Sequence, residues 1–305
     1  MYCFRMGVAA VLFSVWANQT PAPNPTTLPR VTKLADGVFA YEQLDPTKRG
    51  VTANNLIVVT SEGVLVADGQ GTVENTKRLV SDIANLTQQP IRYVIVGSEH
   101  GDHRGGDSAF PPTATFIAHP YSQANLARQA NAPDRRENAA PVVVPTETVK
   151  DKRVLMMGGR EIDILFLGPC HTGGDLEVYL PGERILYMSE VFSNGIFPSM
   201  ANSYPSNWVA ALKAAEQMDV SVYVPAHGLP ATPLISANAE RTYRMALERV
   251  LAEGRRLHDG KVPVDEAADK ADFGEFTGWW RKSENAPGAM KRVYMELDGQ
   301  LTLPK

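Results

Sequence analysis

Four apolar runs in this chain each end at a residue able to bind a metal ion, and no other feature constrains the fold as much. Tyr93-Val94-Ile95-Val96 leads into Gly97-Ser98-Glu99-His100-Gly101-Asp102-His103-Arg104-Gly105-Gly106. Ile162 to Leu167 leads into Gly168-Pro169-Cys170-His171-Thr172-Gly173-Gly174-Asp175, and Arg184 to Met188 into Ser189-Glu190. Val222-Tyr223-Val224 ends in Pro225-Ala226-His227-Gly228. β-Branched and aromatic runs that stop at glycine, acid and histidine read as buried strands delivering polar groups at their carboxyl edges. Four of the six histidines and two carboxylates therefore lie at strand ends. Imidazole and carboxylate together suit zinc. The glycines of the 97–106 run are expected to let the backbone turn tightly enough to aim His100, Asp102 and His103 inward.

In this order and at these intervals the four segments resemble the metallo-β-lactamase superfamily of hydrolases, from about Val31 to Gly228. The family signature H-x-H-x-D-H-x-G-G aligns with Ser98 to Gly106. The resemblance implies that His100 and His171 serve a first zinc and that Asp102, His103 and His227 serve a second. Glu190 stands where an aspartate usually bridges both. Ser98 replaces the first signature histidine, which implies a weakened first site, and Glu190 is one methylene longer than the usual bridge. The second set is complete, so it is expected to hold metal best, with one or two ions in all. Asp68 ends the run Gly63 to Ala67 and takes the position that supports a ligand histidine from behind; the alternative reading is a plain Asp-Gly turn.

With 305 residues, 44% hydrophobic and 21% charged, the chain has the composition of an ordinary globular protein with a large core. A formal net charge of -4 offers nothing to a nucleic acid or an anionic membrane, so the expected partner is a small-molecule substrate. Met1 to Ala17 reads as a secretory signal, with Arg5 before an apolar stretch from Met6 to Trp16. It is too short to span a bilayer, so the mature protein is expected in the periplasm or outside the cell, free of the membrane. Asn18 to Arg30 carries four prolines and reads as a linker, which makes residues 31–305 the folded domain. Once Cys3 leaves with the signal, Cys170 has no partner for a disulfide and is expected to pack beneath the site. Oligomeric state is not legible.

Strands are expected at Gly37–Tyr41, Asn55–Thr60, Gly63–Ala67, Thr115–Ala118 and Val154–Met157. Helices are expected at Val73–Leu86, Pro120–Gln129, Trp208–Met218 and Leu234–Leu257, with one or two more over Phe276–Leu297 broken at Pro287-Gly288. Residues 131–147 read as an irregular connection. Each half then supplies a sheet and flanking helices, which gives a four-layer αββα sandwich with extra helices at the C-terminus. His119 and His258 sit at helix ends and are assigned no metal. Trp279-Trp280 is expected to pack against the sandwich. The loop Glu190 to Ser206 begins at the bridging ligand and carries Phe192, Phe197 and Tyr204, expected substrate walls. The segment Asp45–Asn54 is polar and contains glycine, and the resemblance implies that it forms a hairpin overhanging the pocket.

Zinc lowers the pKa of a bound water to about 7, so a hydroxide is available at neutral pH, and Asp102 is expected to orient it. No phosphate-cradling glycine loop competes, because the Gly-Gly pairs at 105 and 173 lack the lysine such a loop needs. The sequence therefore reads as a secreted zinc-dependent hydrolase of a small ester, amide, lactone or related substrate. The alternatives are a true β-lactamase and a non-catalytic zinc- or ligand-binding member of the same fold.

Overall fold

The structure is a computed structural model describing residues 27–304, apart from residue 49 and residues 134–139. The signal segment, most of the proline-rich linker and part of the 131–147 connection lie outside the described residues.

One sheet is built from β1 (Arg30–Ala35), β2 (Val38–Leu44), β3 (Thr52–Thr60), β4 (Gly63–Ala67), β5 (Ile91–Ile95), β6 (Thr115–Ala118) and β7 (Glu147–Thr148), side by side in that order. The β1 to β4 pairings are antiparallel and those from β4 to β7 parallel. Parallel neighbours need long crossovers. Helices α1 (Val73–Leu86) and α3 (Pro120–Ala130) supply the first and last of the three, and residues 96–114 the middle one. The second sheet runs β12-β11-β10-β9-β8, from β8 (Lys152–Met157), β9 (Arg160–Leu165), β10 (Glu177–Leu180), β11 (Ile185–Tyr187) and β12 (Val222–Val224). A two-residue strand, β13 (His227–Gly228), then leaves the second sheet and pairs with β3 of the first, His227 opposite Ala53.

Strand periodicity divides the apolar residues between three cores. Leu56, Val58, Leu65 and Ala67 face the space between the sheets, where Ile162, Ile164, Val178 and Tyr187 meet them. Their neighbours Ile57, Val64 and Val66 face Leu79 and Ile83 of α1 and Leu126 of α3. This alternation is why β4 is buried along its whole length and reads as an unbroken apolar run. The outer face of the second sheet is covered by α4 (Pro205–Glu216), α5 (Ala239–Asp259), α6 (Val264–Lys270) and α7 (Lys282–Leu297). The result is the expected four-layer αββα sandwich with extra C-terminal helices.

The C-terminal segments depart from expectation. α7 runs unbroken through Pro287, and the chain breaks instead at Trp279–Arg281, where Arg281 takes a left-handed φ of 61°. Pro287 lies early in the helix, and the residue whose carbonyl loses its donor, Ser283, is exposed and meets water. Of the tryptophan pair, Trp279 stacks on Tyr243 while Trp280 stays 45% exposed.

Glu240, in the first turn of α5, is buried, and its Oε1 has no hydrogen-bond partner. Burial and then the neighbouring Glu216 push its carboxyl up to about 8. A folded-state value above the unfolded 4.5 means that the native state holds this proton more tightly. The corresponding stability is complete below 4.5 and is lost as pH rises through about 8. Glu240→Gln is therefore expected to raise the melting temperature above pH 8 and to leave it nearly unchanged below pH 4.5. An equal shift at both ends of that range would contradict the assignment.

Candidate metal centre

The carboxyl edges of the two sheets meet at one place. After β5 the chain enters a one-turn helix, α2 (Gly101–Arg104), which presents Asp102 and His103 inward with His100 at its N-cap. His171 arrives from the loop after β9, Glu190 from a 3-10 turn after β11, and His227 on β13. The glycines after α2 have a different purpose from the one expected. Gly105 and Gly106 take ordinary negative φ values. A Cβ on Gly106 would lie 2.1 Å from the Thr72 carbonyl oxygen, so it is close approach to the 70–72 segment that requires glycine here.

Two donor sets result, with Glu190 in both. In the second set His227 Nε2 lies 3.1 Å from His103 Nε2 and 3.0 Å from Asp102 Oδ2. His103 Nε2 lies 3.5 Å from Asp102 Oδ2 and 3.8 Å from Glu190 Oε1. In the first set Glu190 Oε2 lies 2.7 Å from His100 Nδ1 and 3.3 Å from His171 Nε2, and the two imidazole nitrogens are 3.1 Å apart. Donors around a tetrahedral zinc at about 2.0–2.1 Å stand roughly 3.3 Å from one another. Both sets fit that spacing.

The imidazoles are held from behind. His227 Nδ1 donates to the Thr52 carbonyl at 2.7 Å, which leaves the Nε2 lone pair facing the centre. His103 Nδ1 lies 3.1 Å from Asp68 Oδ2. That same oxygen accepts from the Tyr187 and Ser189 hydroxyls at 2.7 and 2.6 Å, and Asp68 Oδ1 accepts from the Gly97 N–H at 2.7 Å. Asp68 is thus a buried hub, not a plain turn, although its left-handed φ of 61° preserves the turn geometry. Ser98 Oγ donates to Glu190 Oε2 at 2.7 Å. The small hydroxyl and the extra methylene are therefore complementary: Ser98 leaves the room that Glu190 fills and then anchors it.

The electrostatics call for positive charge. Burial disfavours an imidazolium at His103, yet Asp102, Asp68 and Glu190 together raise it to about 10. His100 is likewise raised to about 9 against burial, chiefly by Glu190. Burial of Asp102 and Glu190 is outweighed by the surrounding imidazoles, and both carboxyls fall well below their ordinary range. His171 moves down because burial dominates.

A residue that the sequence reading missed supplies such a charge. Lys48, from the hairpin between β2 and β3, places its ammonium against Asp102 Oδ2, 3.5 Å from Glu190 Oε1 and 3.4 Å from His227 Nε2. Asp45 braces this hairpin by accepting from the Thr47 N–H and hydroxyl, each at 2.7 Å. A cation thus stands among the second set of donors. No periodicity or motif marks one lysine in a polar hairpin; only the expected overhang pointed to the segment.

Above the donors lies a narrow cavity of about 60 Å³, walled by Val51, Ile196, Phe197 and Tyr243 and edged by Lys48 and Arg281. Phe197 is among its lining residues. Phe192 is not: the chain turns it beneath the site, where it is buried and packs 5.8 Å from Tyr243. Tyr204 faces a separate cavity of about 290 Å³ that touches His100. Cys170 is buried, its thiol pushed well up by burial and then by Glu177 and Asp175. His119 caps α3 by accepting from the Tyr121 N–H at 3.2 Å, and His258 pairs with Asp298 away from the centre.

A family model described as the metallo-beta-lactamase superfamily matches residues 49–227, more than half of the chain. The chain belongs to this superfamily. It is 25% identical over 214 residues to the 2,4-dinitroanisole O-demethylase subunit alpha of Nocardioides sp., which covers 67% of this chain and 58% of that protein. To a linear primary-alkylsulfatase of Pseudomonas sp. it is 22% identical, over 57% of this chain and 41% of the relative. The chain therefore spans only about half the length of these two curated relatives. A metallo-beta-lactamase type 2 from Bacillus sp. is 21% identical over 74% of this chain and 86% of its own length. Among solved structures, a metallo-beta-lactamase from Pontibacter korlensis superposes with a TM-score of 0.61 at 23% identity, over 72% of this chain and 99% of its own. The stereoselective inverting sec-alkylsulfatase from Pseudomonas sp. gives 0.69 at 16% identity, over 88% of this chain and 50% of its own. At these identities the structural likeness shows the fold. Among the described residues no helix is long and apolar enough to cross a membrane.

Proposed function

We propose that this member of the superfamily is a zinc-dependent hydrolase of a small ester, amide, lactone or related substrate, acting outside the cytoplasm. The observation that carries this reading is the pair of donor sets sharing Glu190 at the foot of one cavity. Zinc, when bound, would supply an acidified water and a Lewis acid for the substrate's carbonyl or phosphoryl oxygen. His103, His227 and Asp102 would hold one ion, His100 and His171 another, and Glu190 would touch both. Asp102 aims Oδ2 between the two imidazoles of its set, where it would hold the ion and, by accepting a hydrogen bond, orient the attacking water toward a carbonyl carbon or phosphorus. Thr52 and Asp68 fix the ring orientations, and Phe197, Val51 and Ile196 exclude bulk water from the reacting group. Export rests on the leader-like Met1–Ala17 stretch alone.

Elemental analysis of the purified protein is expected to find about one or two zinc per chain. A panel of chromogenic esters, a lactone and a chromogenic cephalosporin is expected to show hydrolysis that a chelator abolishes and zinc restores. Turnover of the cephalosporin in preference to the esters would make the protein a true β-lactamase. A chain that takes up no zinc and turns over nothing would be the non-catalytic member.

A further inference from the structure

The cavity over Glu190 carries a positive charge for which the proposed hydrolysis has no use. Arg281 lines it, yet its guanidinium has no hydrogen bond or ion pair among the described residues. Other arginines of the C-terminal helices are engaged, Arg244 with Glu216 and Glu248, Arg249 with Asp272 and Arg256 with Glu253, and Arg255, which has no such partner among the described residues, faces solvent instead of a cavity. Glu190 is the acid that borders the cavity, and it is already committed to His100, Ser98 and Lys48. Arg281 is nevertheless held in place. Its backbone adopts a left-handed φ of 61°, a strained conformation for a side chain of this size. Trp280, just before it, pairs with Ile196 and accepts from the Phe197 N–H at 2.9 Å. Asn285 ties the same turn to the Phe197 carbonyl at 2.7 Å. The arginine is thus pinned to the wall of the pocket by segments that also form that wall.

We propose that Arg281 anchors a compact anionic group of the substrate, a carboxylate or a sulfate, so that the substrate is an anionic ester or amide with a short apolar body. The proposal rests on the hydrolase reading above. A guanidinium offers a planar fork of donors that matches these anions, and a low-dielectric cavity edged by two cations, Arg281 and Lys48, attracts them. The apolar wall of Val51, Ile196 and Tyr243 suits a short aliphatic body. Arg281 lies beyond the 49–227 region common to the superfamily, so this contact is supplied by the C-terminal helices.

The test is a titration of hexanoate, hexyl sulfate and hexan-1-ol against the full chain, followed by tryptophan fluorescence, for which Trp280 is the adjacent reporter. Both zinc-loaded and metal-free protein are used. At least one anion is expected to bind about tenfold or more tightly than the alcohol, and the stronger of the two identifies the group recognised. Arg281→Gln is expected to abolish that preference without changing alcohol binding, zinc content or melting temperature, and Arg281→Lys to retain part of it. Equal anion affinity in Arg281→Gln and the wild type, or no anion preference in the wild type, would overturn the proposal. A chain that binds no zinc defeats the hydrolase reading instead, and the comparison in metal-free protein still decides the role of Arg281.

Discussion

Replacing His227 by alanine is expected to empty the second donor set and to remove chelator-sensitive hydrolysis. Removing a group that only supports a ligand lowers metal affinity roughly 10–100-fold, so loss of the ligand itself should exceed about 100-fold in zinc affinity and in kcat/KM. His227 Nε2 stands 3.0–3.1 Å from both Asp102 and His103, so no neighbouring side chain can substitute for it. The fold should survive, because β13 is joined to β3 through its backbone. Competition against a chromophoric chelator reads the affinity directly. Undiminished zinc binding in His227→Ala, with a normal melting curve, would place the ion elsewhere.

Asp68→Ala is expected to damage both the fold and the centre. It strands the Tyr187 and Ser189 hydroxyls and the Gly97 N–H inside the protein, and His103 loses the carboxylate behind it. Buried donors left unpaired lose roughly 1–3 kcal/mol each, and breaking a buried charged network typically loses about 3–5 kcal/mol. The melting temperature should fall by about 10 °C. Zinc affinity should drop roughly 10–100-fold in whatever fraction remains folded. Asp68→Asn keeps the shape and some of the acceptors and should lie between. A variant that melts like the wild type would mean that Asp68 only forms a turn.

Much of this architecture could be read from the chain because central strands such as β3 and β4 are buried on both faces. β4 and the run Tyr93 to Val96 are continuous apolar stretches, and their abrupt ends mark the sheet edge where polar groups gather. The Ser98 and Glu190 departures were legible as changes, but as two separate defects. Only the 2.7 Å hydrogen bond between them shows that one accommodates the other. Phe192 was misplaced because an aromatic beside a ligand looks the same in sequence whether it faces the substrate or the core. The break in the last helices was misplaced too, since proline is tolerated early in a helix whereas a left-handed arginine leaves no mark in the sequence.

The order of strand and ligand was set by local chemistry: an apolar run must be buried, and a histidine or acid at its end must emerge at the edge. Hence the sandwich, and the gathering of six candidate metal-binding side chains at its edge, could be read from the sequence and its family resemblance. Lys48 among the donors, the Asp68 hub, the anchoring of Glu190 by Ser98 and Arg281 over the cavity, unpaired among the described residues, are contacts between residues 29 to 179 positions apart, or at a cavity wall built from several segments. Such contacts depend on how the sheets and helices pack in space, and pairing at that range leaves no periodic trace along the chain.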